Sequence, residues 1–563
     1  MFEEEFREAK MLAAERRAAE IKNEHTGREG ASTFSDARKT TRLNRNQVLE
    51  RLWHPKAPAL CLMGVKIGVD EAAELDIGGE GTFVSGDGFI NSANPSDFMK
   101  AFAHLWGRVF GPNNTDVEVA GRLIEEYLEY VKWDWALLQT PTLALVQYVM
   151  SKLKSTAPGL DGIPNMAWTF GGEYLAQYIL DLIDAFCSDE VLPADINWSM
   201  MAFLDKSGEA PEHAQAPGMI FRHPLDTRPL SLKQADNKLV AGVLNFCISP
   251  AIAHGAIDIQ TGFIHGRILI QNVVDLDFHA RMQAFDFFSE RKKMQMIHIS
   301  SKGMVNSLPF LLLWDFASAF PSVAHAWLFS VLDAIKLWRG FVTGIRNLYS
   351  GNKAYGQSGG VMVFMFMIVS GVLQGCPLSG TLFVLVIDPL LWSFKKKLSS
   401  TVIRTCADDI GMALRRLDEL CLIAKIFYDF ECASNLKLKP KKSILIPTVF
   451  KLSNWNLDMV RAWLRRAVPH WENLIIRDSA KYLGFFMGPT SGTHQWAAAF
   501  RKYSERVVAI KHLKLPLRLA VSRHNYWAVP VLGYISQLAL PPHVLLDLNC
   551  LPSYKLLDLL ATP

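Results

Sequence analysis

The chain has 563 residues, half of them apolar and a fifth charged, with a formal net charge of +4. That length exceeds what one hydrophobic core serves, and the composition excludes a disordered or fibrous chain. The mild charge does not by itself announce a nucleic-acid binder, and the eight cysteines offer no CxxC pair and no Cys/His spacing suited to zinc.

In chain order, residues 1–26 are rich in Glu, Ala, Arg and Lys and predict an exposed helix, followed by a polar linker over 27–45. The opening MFEEEFREAK lacks the basic-then-apolar pattern of a secretory signal. The stretch 58–90 mixes apolar runs with Gly-rich turns. Helices are predicted over Ser96–Phe110, Glu118–Trp135 and Thr142–Lys154, the last leading into the turn-rich STAPGLDGIP (155–164). From 165 to 290 helices are expected to dominate, with loops at Ala210–Asp226 and Gln260–Arg267. Strand character concentrates in 308–316, 359–373, 401–414 and 443–449, interleaved with helices over Val323–Leu337, Leu378–Lys397 and Leu417–Ala433. After Pro489 the pattern is helical again, broken by prolines. The longest apolar run, Val361–Val369, is well short of the roughly 20 residues of a membrane span. A soluble, intracellular protein of nucleus, cytoplasm or both, with no membrane partner, is the expectation.

Strands alternating with helices imply an α+β domain whose sheet carries carboxylates at its edge. Asp315 closes the apolar run FLLLWD, and Asp408-Asp409 close TVIRTCADD; GVLQGCPLSGTLF (371–383) lies between them. An Asp after a strand is ordinarily a turn or cap residue. Carboxylates at neighbouring strand ends can instead share hard divalent cations, and two metals about 3.5–4 Å apart are the usual clamp for in-line nucleotidyl transfer. Two basic stretches, Lys437–Arg466 and Arg501–Arg523, carry one acid each (Asp458 and Glu505). Such faces can track a phosphate backbone or simply be solvated.

Taken in order, the motifs resemble the reverse-transcriptase domain of non-LTR (LINE-type) retrotransposons. APGLDGIP (157–164) resembles PGPDGI, RPLSL with Lys238 resembles RPISL…K, and QTGFIHGR (260–267) resembles QxGFxxGR. WDFASAFPSV (314–323) is similar to motif A, GVLQGCPLSGTLF to motif B, CADD (406–409) to motif C, NLKLKPKKS (435–443) to motif D and KYLG (481–484) to motif E. The resemblance spans about 140–545 and implies a right-hand polymerase. Its fingers would occupy 141–305, its palm with an antiparallel sheet 306–488 (325–370 being a finger/palm segment), and a helical thumb 489–563, after a helical, partly flexible N-terminal extension over 1–140.

The implied function is RNA-directed DNA polymerisation on an RNA template from a DNA primer or target, with dNTPs as substrates and two Mg²⁺ ions, Mn²⁺ being a substitute. Asp315 and Asp408 would bridge the metals, with Asp409 in support and the Phe316 carbonyl completing one coordination sphere. Phe320 would lie under the incoming sugar and disfavour a 2′-hydroxyl. Gln374 and Gly375 would line the nucleotide pocket, Lys238 and Arg267 would reach the triphosphate, and Lys442 would clamp charge or protonate pyrophosphate.

The chain departs from the family pattern at Cys406, Pro321, Lys439, Ser370 and Thr156, and the last two remove positive charges from positions expected to meet nucleic acid. The flanks offer no room for the family's endonuclease, so a piece of an element is expected. Two rival readings are a catalytically weak nucleic-acid-binding relic and an RNA-dependent RNA polymerase, the latter disfavoured by Phe320 and Ala407.

Overall fold

A computed structural model describes residues 61–79, 82–154, 156–206, 219–293, 305–358, 361–513 and 515–541. The helix and linker expected before residue 46 lie outside these. The centre is a five-stranded sheet, ordered Val402–Cys406, Asp409–Leu414, Phe310–Trp314, Ile444–Pro447, Ile475–Ile476, antiparallel except for its last pair. Phe310, Leu312 and Trp314 point into one core, where Trp314 packs on Phe427 and Trp471. Leu311 and Leu313 point into a second core with Leu276, Tyr482 and Phe485. Burial on both faces explains why FLLLW is a continuous apolar run instead of an alternating one. Each such side chain contributes about 1.5–3 kcal/mol relative to exposure.

Helices Ser379–Lys397 and Glu419–Ser434 cover the first face, and helix Leu269–Lys293 and the hairpin Ala480–Tyr482/Phe485–Met487 cover the second. Both covering helices of the first face match the expected spans to within two residues, as does the predicted helix at 96–110, observed at Pro95–Val109. The helix expected over Glu118–Trp135 ends at Leu128, before Tyr130-Val131-Lys132 and the short turn Trp135–Leu137.

Two regions differ from the sequence reading. The stretch 165–290 is not dominated by helices alone: strands Ser199–Asp205 and Thr227–Lys233 pair over seven positions and extend through Lys353–Ser358 to Val361–Met367. The extension before residue 140 is not purely helical either. Strands Cys61–Ile67, Thr82–Val84 and Ile90–Ser92 form a sheet with Met219–Arg222. These strands are short or polar and pair over long sequence separations, which local pattern does not reveal. One described helix, Ala235–Gly255, is long and apolar enough to cross a membrane. It packs on helices Leu143–Ser151 and Gly172–Phe186, and Leu239, Val243 and Leu244 along it are fully buried.

Candidate active site

Strand Asp409–Leu414 pairs with Phe310–Trp314 in the register Ile410↔Trp314, so the next pair along is Asp409 opposite Asp315. Asp408 sits in the two-residue turn that joins Cys406 to Asp409. All three carboxylates therefore gather at one end of the central sheet, as the sequence expectation has it. Ala407, the first turn residue, has φ +57°. Tight hairpins demand this conformation, and non-glycine residues resist it.

What holds the turn is a residue the sequence reading left out of the site. Gln260 is fully buried, and its Oε1 accepts hydrogen bonds from Ala407 N and Gly262 N, both at 2.8 Å, while its Nε2 donates to the Ala407 carbonyl at 3.2 Å. Main-chain bonds from Thr405 N to Ile259 O and from Thr261 N to Thr405 O lay the same segment along the hairpin. A Cβ on Gly262 would stand 2.3 Å from Ala407 N, so only glycine permits this approach. Behind the hairpin, the buried Tyr482 of KYLG donates to the carbonyls of Arg404 (3.0 Å) and Asp409 (3.2 Å).

Burial, and then repulsion from Asp408 and Asp315, push Asp409 up to about 6. Burial and Asp315 raise Asp408 in the same direction, and burial raises Asp315 against the pull of Lys442, Lys439 and Lys206. Mutually repelling hard oxygen donors are the donor set a divalent cation relieves. Among the described residues no three His, Cys, Asp or Glu side chains converge closely enough to hold an ion unaided.

The cations around Asp315 arrive by main-chain pairing. Ala317 N donates to Lys437 O and Lys439 N to Asp315 O, each at 2.8 Å, zipping 315–317 to 437–439. Neither bond uses the Phe316 carbonyl. Lys206, just after strand Ser199–Asp205, has its ammonium bound to the Leu225 carbonyl at 2.7 Å and also acts on Asp315 through its charge. Lys206 escaped the sequence reading because its strand was taken for helix. Within the basic stretches, Arg461 donates to the Glu472 carbonyl and Arg465 pairs with the Glu472 carboxylate at 3.8 Å.

Arg267 is a correction. Its guanidinium donates to the carbonyls of Ala253, Ala256, Ile257 and Gln260, closing the C-terminus of helix Ala235–Gly255. Orphan carbonyls at a helix end attract a cation in this way, and both terminal nitrogens of the guanidinium are engaged by the protein. Lys238 lies beside the 155–164 turn, with Asp161 as its charged neighbour and a long contact of 3.5 Å to the Ala157 carbonyl.

Residues 222–487 match the family model for reverse transcriptase (RNA-dependent DNA polymerase). The chain is 27% identical over 279 residues to the transposon TX1 uncharacterized 149 kDa protein of Xenopus laevis, covering 49% of this chain and 19% of that protein. It is 25% identical over 271 residues, 48% of this chain and 22% of the relative, to the retrovirus-related Pol polyprotein from type-2 retrotransposable element R2DM of Drosophila melanogaster. The chain thus spans about a fifth of the length of these relatives. Among solved structures, apo telomerase from Candida tropicalis, truncated from its C-terminal domain, gives a TM-score of 0.33 at 9% identity, covering 53% of this chain and 54% of that one, too distant to bear on the fold. Residues 222–487 are a reverse-transcriptase domain. The resemblance to non-LTR retrotransposon enzymes is thereby borne out, and reverse transcriptases as a family use divalent metal ions.

In the reverse-transcriptase domain, Phe320 stacks on Phe383 with centroids 4.4 Å apart and meets Phe263 edge-on at 5.8 Å. Gln374 and Gly375 dock against strand Thr227–Lys233: Ser231 N donates to Gln374 O at 2.8 Å, and a Cβ on Gly375 (φ +106°) would lie 2.7 Å from Ser231 O. Gly375 is therefore required by its own backbone conformation and by Ser231. Ser370 corrects another expectation. It is fully buried and donates to the Val109 carbonyl at 3.0 Å, so in this chain the position belongs to the interior. Thr156 accepts a hydrogen bond from Asn165 at 2.7 Å.

Proposed function

We propose that the chain is an RNA-directed DNA polymerase that adds dNTPs to a DNA 3′ end opposite an RNA template. The observation that carries this reading is the gathering of Asp315, Asp408 and Asp409 at adjacent strand ends, inside the segment matched by the reverse-transcriptase model. Two divalent cations, Mg²⁺ or Mn²⁺ in its place, would be held by Asp315, Asp408 and the Phe316 carbonyl with Asp409 in support, and they supply Lewis-acid polarisation and charge neutralisation when bound.

The chain's own groups do the rest. The Gln260-clamped turn fixes Asp408 relative to Asp315, so little reorganisation remains at the moment of reaction. Lys439, Lys442 and Lys206 act on Asp315 through their charge and would meet a triphosphate bound there. Phe320, braced by Phe383, would exclude a 2′-hydroxyl. In hand terms, 141–305 serve as fingers, 306–488 as palm and 489–563 as thumb, and RNA template and DNA primer are the partners.

Primer extension by the full chain on an RNA template tests the reading. Asp408→Ala is expected to lower incorporation by roughly a thousandfold, given several kcal/mol of metal-borne charge stabilisation. Equal product from variant and wild type would sink it. Hybrid binding without any incorporation by wild type would favour the relic instead.

A further inference from the structure

Phe263 lies where three parts of the site meet. Its ring stands 5.8 Å from the Phe320 ring, a Cβ on Gly380 would touch it at 2.6 Å, and its neighbour Gly262 rests on Ala407 of the carboxylate turn. The residue is 59% exposed. Its backbone has φ +58°, and among the described residues it is the only aromatic one in the left-handed region. A bulky side chain there is a genuine outlier, and such strain persists only where the surroundings over-determine it.

The surroundings do so. Gly262 is buried and its N–H is held by Gln260, while Ile264 on the other side is buried with its carbonyl bound by Arg267 N. A buried–exposed–buried sequence pinned at both ends drives the ring outward. Beyond its edge-on contact with Phe320, a large apolar surface kept in water on a strained backbone gains little in the free protein. Aromatic rings exposed at nucleic-acid sites stack on bases and sugars without regard to sequence.

We infer that Phe263 is a substrate-contacting residue, its exposed face packing against the terminal base pair of the RNA–DNA hybrid beside the carboxylates. The proposal rests on the polymerase reading for the identity of the hybrid. It extends the aromatic floor from Phe320 toward the carboxylate turn, so that the incoming nucleotide borders one ring and the primer terminus the other.

The test uses the full chain with an RNA–DNA hybrid carrying a recessed DNA 3′ end, with affinity read by fluorescence anisotropy and dNTP KM by single-nucleotide incorporation. Phe263→Gly and Phe263→Asn both accept positive φ and remove the ring. Each is expected to weaken hybrid binding by about tenfold or more, within the range of lost base–aromatic stacking. The melting temperature should stay or rise and dNTP KM should stay within about twofold, while Phe263→Tyr should keep wild-type affinity. Hybrid affinity unchanged in both ring-less variants overturns the proposal, as does a rise confined to dNTP KM or an affinity loss that only follows a lowered melting temperature. If wild type binds hybrid but incorporates nothing, the polymerase reading fails while the binding arm still decides the role of Phe263.

Discussion

Arg267 and Lys442 belong to motifs that, by resemblance, both send a cation to the triphosphate, yet the fold treats them in opposite ways. Around Arg267, the end of helix Ala235–Gly255 and the loop after it offer four carbonyls, and a planar guanidinium with five donors satisfies them. Around Lys442, the segment 437–443 is zipped to the strand end that bears Asp315, and its ammonium, on an exposed residue, acts on that carboxylate. A motif fixes a residue type. Whether its charge faces substrate or main chain depends on which unsatisfied backbone groups lie nearest.

The sharpest way to break that contrast is Arg267→Ala. Leaving several partly buried carbonyls without donors should cost about 3–4 kcal/mol of stability, at about 1–3 kcal/mol for each buried group left unpaired and with water replacing some donors. Urea unfolding measures it, and any activity lost should follow the fraction unfolded. A variant with wild-type stability and a raised dNTP KM would return Arg267 to the triphosphate.

Asp388 sharpens the same side of the comparison. It is fully buried near Arg267, accepts from Tyr127 Oη at 2.7 Å and from Ile257 N at 3.0 Å, and burial pushes it up to about 6. The folded chain therefore holds this proton more tightly than the unfolded chain, where the carboxyl titrates near 3.9. Its contribution is full below about pH 4 and is lost as pH rises through about 6. Asp388→Asn cannot titrate, so wild type should lose about 2 kcal/mol between pH 4 and pH 7 that the variant keeps. Parallel stability–pH curves for the two proteins would refute this.

The sequence made the chemistry legible and much of the frame around it obscure. Asp315, Asp408 and Asp409 were readable because strand ends are marked by the loss of apolar residues, and the helices over 379–397 and 419–434 because long periodic runs leave little choice. The strands at 199–205 and 227–233 were not, since TRPLSLK and SMMAFLD gain their pairing from each other across a long separation. That error hid Lys206. Gln260 was visible within QTGF, but nothing in a string of letters says that its amide closes around a turn 147 residues away. Ser370 misled for the converse reason: a position read as nucleic-acid-facing proved to be interior.

Lys442→Ala completes the comparison with the smallest effect. The side chain belongs to an exposed residue, so its attraction for Asp315 and for a triphosphate is felt through a high effective dielectric and is screened by salt. Removing it should raise dNTP KM by about tenfold at low ionic strength and leave the melting temperature within a degree or so of wild type. The penalty should shrink as salt approaches 0.5 M, where the Debye length falls to about 4–5 Å. Arg267→Ala, whose damage is lost main-chain hydrogen bonding, should show no such salt relief. Because a uniform loss of fold would move both variants alike, opposite salt responses are the signature that one cation serves the substrate and the other serves the chain. Equal responses would mean that Lys442, too, is part of the frame.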